Sequence, residues 1–207
     1  MNFSALVIIL ITILAAWFLW RTAHRIDKLH RKVVAAKIAL DQQLQRRAEA
    51  SIDLAMSQIL DPASAMMLAN EAYTVLDELT PLAETDYPMS LAPISKHREI
   101  AESELTECLR QIFPDEQAIA EVRSFPTVTS SSQSIGYDLL YRVTSAWYRA
   151  ELARRFYNQA VADARAARRH WYVRAFRLAG HARLPETCEL DDALPPELAR
   201  TAVTPLG

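Results

Sequence analysis

The sequence predicts an all-α protein: an N-terminal transmembrane helix followed by an antiparallel four-helix bundle. Three observations predict it. Residues Phe3 to Trp20 carry no charge and are apolar apart from Ser4 and Thr12. At ~1.5 Å per residue they reach about 27 Å, close to the ~30 Å hydrocarbon core of a bilayer. Beyond them, apolar residues recur three and four positions apart, the spacing of one helix face. Finally, good helix formers dominate, and the 10 prolines lie mostly between the periodic stretches.

The first element, residues 1–20, is assigned as a retained anchor. A cleaved signal peptide wants a positive leading segment and a small-residue cleavage site. Met1 to Ser4 has no charged side chain, and the apolar run ends in Ala15-Ala16-Trp17-Phe18-Leu19-Trp20. Trp17 and Trp20 suit the headgroup layer. Arg21, Arg25, Lys28, Arg31, Lys32 and Lys37 follow, against a single acid, Asp27. Positive flanks stay cytoplasmic, so the expected topology puts the N-terminus outside and the domain in the cytoplasm at the cell membrane.

Residues 21–183 are assigned to the helical domain. Its first stretch runs from about His24 to Leu60, with Ile26, Leu29, Val33, Leu40, Leu44, Ala48, Ile52 and Ala55 on one face. Asp61-Pro62 restarts the chain, Asp61 as N-cap and Pro62 at the first helical position. The second stretch ends near Leu79, before Thr80-Pro81. Residues 81–94, with three prolines, read as a loop. Ser95 caps a third helix to about Phe113, and a short piece follows Pro114 up to Arg123. Residues 124–134 form a second loop. The fourth stretch runs from about Ile135 to Leu178, where Gly180 can supply the left-handed residue that ends a helix. Residues 184–207 are expected to be a poorly ordered tail.

Catalytic motifs are absent from the sequence. The chain has only 3 glycines, too few for a phosphate-cradling loop or a dinucleotide turn. It has no HExxH, no CxxC and no GxSxG, and its histidines have no partner at ligand spacing. No catalytic, cofactor or metal residue is therefore expected. Cys108 and Cys188 form no disulfide framework and fit a reducing compartment. Cys108 lies on an apolar stripe and reads as core. His97 with Glu99 and Glu102, and Glu102 with Glu104 and Glu107, read as solvated helix surface.

Charge is segregated. The net charge is only -2, yet residues 149–183 carry nine arginines against Glu151 and Asp163. In an up-down-up-down bundle this basic segment and residues 21–37 both sit at the membrane end. Arg168, Arg169 and Arg174, with Trp171 among them, are the candidate lipid contacts, because the anionic leaflet attracts such clusters. Nucleic acid is not an expected partner, since the acidic remainder opposes a polyanion.

Residues 36–49 carry Ala36, Asp41, Leu44, Arg46, Arg47 and Glu49 in the pattern Ala, spacer, Asp-x-x-Leu-x-Arg-Arg-x-Glu. Residues 153–161 read Ala-Arg-Arg-Phe-Tyr-Asn-Gln-Ala-Val, with Arg154, Arg155, Tyr157 and Asn158. In that order, behind an anchor, they resemble the two signatures of the LemA family. The chain differs from that family after Ala50, where an Ile-Pro-Asn-Leu segment is usual, and after Asn158, where Phe-Pro is replaced by arginines. The resemblance implies one N-terminal transmembrane helix and a helical-bundle domain, and brings no enzymatic activity with it.

The eight motif residues are the candidate interaction site. Setting His24–Arg31 level with Arg165–Trp171 brings the two motifs together, with Asp41 bound to an arginine or to the Tyr157 hydroxyl. The expected function is a non-enzymatic, membrane-anchored scaffold or protein-interaction module. The alternative is an anionic-lipid-sensing regulator that uses the basic end of the last helix. Membrane lipid and an unidentified protein are the expected partners, and self-association is compatible with the sequence.

Overall fold

The computed structural model describes residues 3–79, 94–125, 134–176, 184–195 and 198–199. These residues form six helices and no strand: α1 (Phe3–Met56), α2 (Pro62–Leu79), α3 (Lys96–Ile112), α4 (Glu116–Arg123), α5 (Ile135–Arg169) and α6 (Trp171–Ala175). The two loops expected from prolines and serines fall mainly outside the described residues.

The apolar N-terminal stretch and the first domain helix are one uninterrupted helix of 54 residues. It is long and apolar enough to cross a membrane, and none of its 18-residue apolar window is buried by the rest of the chain. The same helix becomes a core element from Ile26 onward, burying Val33, Leu40, Leu44, Ala48 and Leu54. It ends at Met56, four residues before the expected Leu60. Gln58 takes a left-handed backbone (φ 62°), which stops the helix without glycine. Asp61 then caps α2 as expected, its Oδ1 accepting from the amides of Ala63 (3.0 Å) and Ser64 (3.1 Å). The hydrogen bonds from Ser64 lower the Asp61 pKa.

The remaining caps follow the same logic. Ser95, Asp115 and Ser134 have extended backbones, and their side chains accept from Arg98, Ala118 and Tyr137 amides. Gly136 is required by a close approach, since a Cβ there would sit 1.8 Å from the Val122 carbonyl oxygen. This lets α4 lie against the start of α5.

The last helix does not run unbroken to Leu178. His170 adopts an extended backbone (ψ 132°), and α6 restarts at Trp171. The break turns Val173 inward, 3% exposed, while Trp171 stays 75% exposed.

Helix α1 packs along α5 and against α2, and α2 packs on α3. The α1–α5 pair is antiparallel: Lys32 bonds Asp163 at 3.1 Å near one end, and Asp53 approaches Arg142 at 3.9 Å toward the other. Two apolar clusters fill the interior. One centres on Leu54, Leu68, Leu105, Phe113, Leu140 and Trp147, the other on Leu40, Leu44, Tyr157, Val161, Cys188 and Leu190.

The presence of Cys188 and Leu190 in that cluster corrects the expectation of a poorly ordered tail from residue 184. Residues 184–195 lie without helix against α3 and α5, and Cys188 is fully buried. Their short apolar residues fill the gap beside the many alanines of α5, and their backbone polar groups find partners on both helices. Residues 200–207 lie outside the described residues.

Candidate interaction surfaces

The first-motif residues do not act as a unit. Leu44 is fully buried core, while Arg46 is exposed. Arg47 is 0% exposed and forms the centre of a buried polar cluster. Its Nη2 donates to the Glu102 carboxylate and, at 2.8 Å, to the Glu102 backbone carbonyl. Its Nη1 donates to Thr106 Oγ1 at 3.3 Å. The guanidinium also lies 4.5 Å from the centroid of the fully buried Trp147 ring. Helices α1, α3 and α5 thus meet at one ion pair that is fully removed from water.

Asp41 is bound to an arginine, as one of the two expected alternatives had it, but the arginine comes from α3. Arg98 Nη1 donates to Asp41 Oδ1 at 2.7 Å, and Lys37 Nζ approaches Oδ2 at 3.5 Å. Tyr157 turns elsewhere, because the 184–195 segment occupies the space it faces.

The second-motif residues hold that segment. Tyr157 donates its hydroxyl to the Glu186 carbonyl at 2.7 Å. Asn158 makes a two-way bridge to Cys188: Nδ2 donates to the carbonyl, and Oδ1 accepts from the amide, both at 2.9 Å. Arg154 grips Asp192 through Nε (2.6 Å) and Nη2 (2.8 Å). Arg155 points out and pairs with Glu151 on its own helix. From the other side, Arg110 of α3 holds Asp191 at 2.7 and 2.8 Å, and Glu99 accepts from the Glu189 amide at 2.8 Å. Burial pushes the Tyr157 phenol up to about 12 and the Cys188 thiol up to about 12. Burial likewise raises Cys108 to about 11, so both thiols are unreactive core groups. The bond from Arg110 lowers the Asp191 pKa.

Glu99 and Glu102 correct the expectation of a solvated face on α3, since they are 7% and 0% exposed. A signal was present. Glu102 sits on the same three-and-four stripe as Ala101, Leu105 and Leu109, and a carboxylate on an apolar stripe needs a buried cation. Arg47 stands in the matching position between Leu44 and Leu54.

The candidate lipid contacts lie at the opposite end. Arg169, Trp171 and Arg174 are exposed, whereas Arg168 is half-buried and burial lowers its pKa. Tyr172 meets Phe18 of the apolar stretch edge-on, with ring centroids 5.5 Å apart. Between α1 and α6 opens a cleft of about 420 Å³, bordered by Phe18, Arg21, Arg25, Lys28, His170 and Tyr172. Among the described residues no group of three or more His, Cys, Asp or Glu side chains could hold a metal ion.

No protein-family model, no curated protein and no solved structure matches this chain.

Proposed function

We propose that the chain is a single-pass membrane protein whose helical domain lies on the cytoplasmic face and serves as a non-enzymatic scaffold or protein-interaction module. In this reading α1 beyond Arg21, α2, α3 and α5 make an antiparallel four-helix bundle. The α1–α5, α1–α2 and α2–α3 packings support it. The resemblance to the LemA signatures points the same way, since its two motifs occupy the paired helices α1 and α5.

The observation that carries the interaction role is the outer face of α5. Its inner face is core, yet Tyr141, Tyr148, Leu152 and Phe156 project outward at 48%, 60%, 39% and 62% exposure. Tyr137 stacks on Tyr141, extending the same stripe. Exposed aromatic and aliphatic groups aligned on one helix mark a surface made to be covered. A photocrosslinking residue at Tyr148 in the native membrane should give a discrete protein adduct, and Leu152→Glu should suppress it. A crosslinker at the solvated Asp53 should give none. Identical patterns from both positions would defeat the reading.

A second reading, regulation by anionic lipid through the basic membrane end, is favoured by the Phe18–Tyr172 contact. That contact ties the arginine-rich end of the last helices to the apolar stretch. Salt-sensitive preference for anionic over zwitterionic vesicles tests it.

A further inference from the structure

We propose that the cleft between α1 and α6 seats the phosphodiester headgroup of one anionic lipid of the cytoplasmic leaflet, held by Arg21 and Arg25 with Tyr172 as the opposite wall. The proposal rests on the membrane-anchored reading. It places lipid recognition on α1 rather than on the exposed arginines of α5 and α6.

The cleft has the form of a site. Its volume of about 420 Å³ lies in the small-ligand range of ~300–1,000 Å³. Phe18, Arg21, Arg25 and Lys28 follow one another at steps of three, four and three, so they share one face of α1. That face passes from apolar to cationic in the direction away from the hydrocarbon. No carboxylate is found among the described residues that border the cleft.

The cations there differ from every other cation of α1 except the exposed Arg46. Arg31 pairs with Asp27, Lys32 with Asp163, Lys37 with Asp41 and Arg47 with Glu102. Among the described residues none of Arg21, Arg25 and Lys28 has an ion-pair partner. Arg21 lies instead over the Trp17 ring, 5.6 Å from its centroid. Three cations face one concave space without a counter-ion, and a phosphodiester supplies what is missing.

Depth selects the ligand. From Phe18, the helical rise puts Arg21 about 4.5 Å, Arg25 about 10 Å and Lys28 about 15 Å along the axis. The headgroup layer of one leaflet is about 5–8 Å thick. Arg21 and Arg25 therefore bracket the phosphate level, with Lys28 on the water side. The Phe18–Tyr172 pair closes the membrane side of the cleft with apolar surface, against which acyl chains continue. A free anion would leave that surface uncovered.

The test uses the full-length protein in mixed micelles of phosphatidylglycerol and phosphatidylcholine, with retained lipid counted by native mass spectrometry. One phosphatidylglycerol should be retained in preference to phosphatidylcholine. Arg21→Gln with Arg25→Gln should weaken it roughly 25-fold, about fivefold per cation. Arg169→Gln with Arg174→Gln removes the same charge at the same end, outside the cleft, and should cost less than about twofold through the screened field. Equal losses in the two double variants would overturn the site in favour of diffuse attraction. Equal retention of both lipids, or displacement of phosphatidylglycerol by inorganic phosphate, would also overturn it. Failure of the anchor reading is seen separately: the wild-type chain would leave vesicles in an alkaline carbonate wash, and the proposal would fall with it.

Discussion

The two ends of the α1–α5 pair treat charge in opposite ways. At the far end, Arg47 and Glu102 are withdrawn from water and satisfied by each other, by Thr106 and by the Trp147 face. At the end next to the apolar stretch, Arg21, Arg25 and Lys28 stand exposed along an open cleft, and Arg169 and Arg174 are exposed outside it. The same residue type thus serves two purposes along one pair of helices. Buried arginine fixes which helices meet, because an unpaired charge in the interior is prohibitively costly. Exposed arginine leaves a field that an anionic surface can complete. Between the two ends, Arg154 and Arg110 clamp the 184–195 segment through the buried Asp192 and the exposed Asp191.

The sharpest way to break this contrast is at Arg47. Arg47→Ala strands the Glu102 carboxylate and should cost ~3–5 kcal/mol in denaturant melts of the full chain in detergent. Replacing both partners, Arg47→Met with Glu102→Leu, should recover most of that loss. A small effect of the single change would mean that the pair is not held in a dry interior.

Asn158→Ala is the next test. It removes both bonds to Cys188 and leaves two buried backbone groups unpaired, a loss of ~1–3 kcal/mol. The Cys188 thiol should then react with a disulfide reagent that leaves it untouched in the parent chain. An unreactive thiol in the variant would show that the segment is held by its apolar residues alone.

Acidification gives a weaker, graded effect. The pKa of Asp191 is lowered in the fold by the Arg110 bond. Its contribution is therefore complete above the ordinary Asp value of ~3.9 and fades as pH falls through the lowered folded value. Hydrogen exchange at the Glu189 and Asp191 amides should accelerate in that acid range, ahead of the Leu44 amide in the core. Simultaneous loss would make the segment part of one cooperative unit. The smallest effect belongs to Arg25→Gln, which should shift stability by no more than ~0.5 kcal/mol, since no partner is stranded.

Much of the helix inventory was legible because periodicity and caps are local. Asp61 and Ser95 mark helix starts by a side-chain oxygen that the next turn needs, and each caps the helix that the sequence assigned to it. Leu40, Leu44 and Ala48 declare a buried face by spacing alone. The helix ends were less legible. The left-handed Gln58 and the extended His170 are not residues that announce a stop, and tertiary packing sets both.

The polar pairings were legible in kind but not in partner. Asp41 was expected to bind an arginine or the Tyr157 hydroxyl, and nothing local distinguishes Arg98 on α3 from Arg154 on α5. The docked segment 184–195 was missed because it has no periodicity. Part of its hold is on backbone groups, at Glu186, Cys188 and Glu189, which carry no side-chain signature. Its acids, Asp191 and Asp192, were the available signal, since the arginines of α5 needed counter-ions.

The measurement that tests the central claim most directly is impermeant cysteine labelling in intact cells. The native Cys108 and Cys188 are buried, so each introduced thiol reports its own site. Asn2→Cys should be labelled from outside. Asp53→Cys, exposed at the far end of the same helix, should be labelled only after permeabilisation. Labelling of Asp53→Cys in intact cells, with Asn2→Cys protected, would contradict the orientation and the assignment of the basic end to the cytoplasmic leaflet.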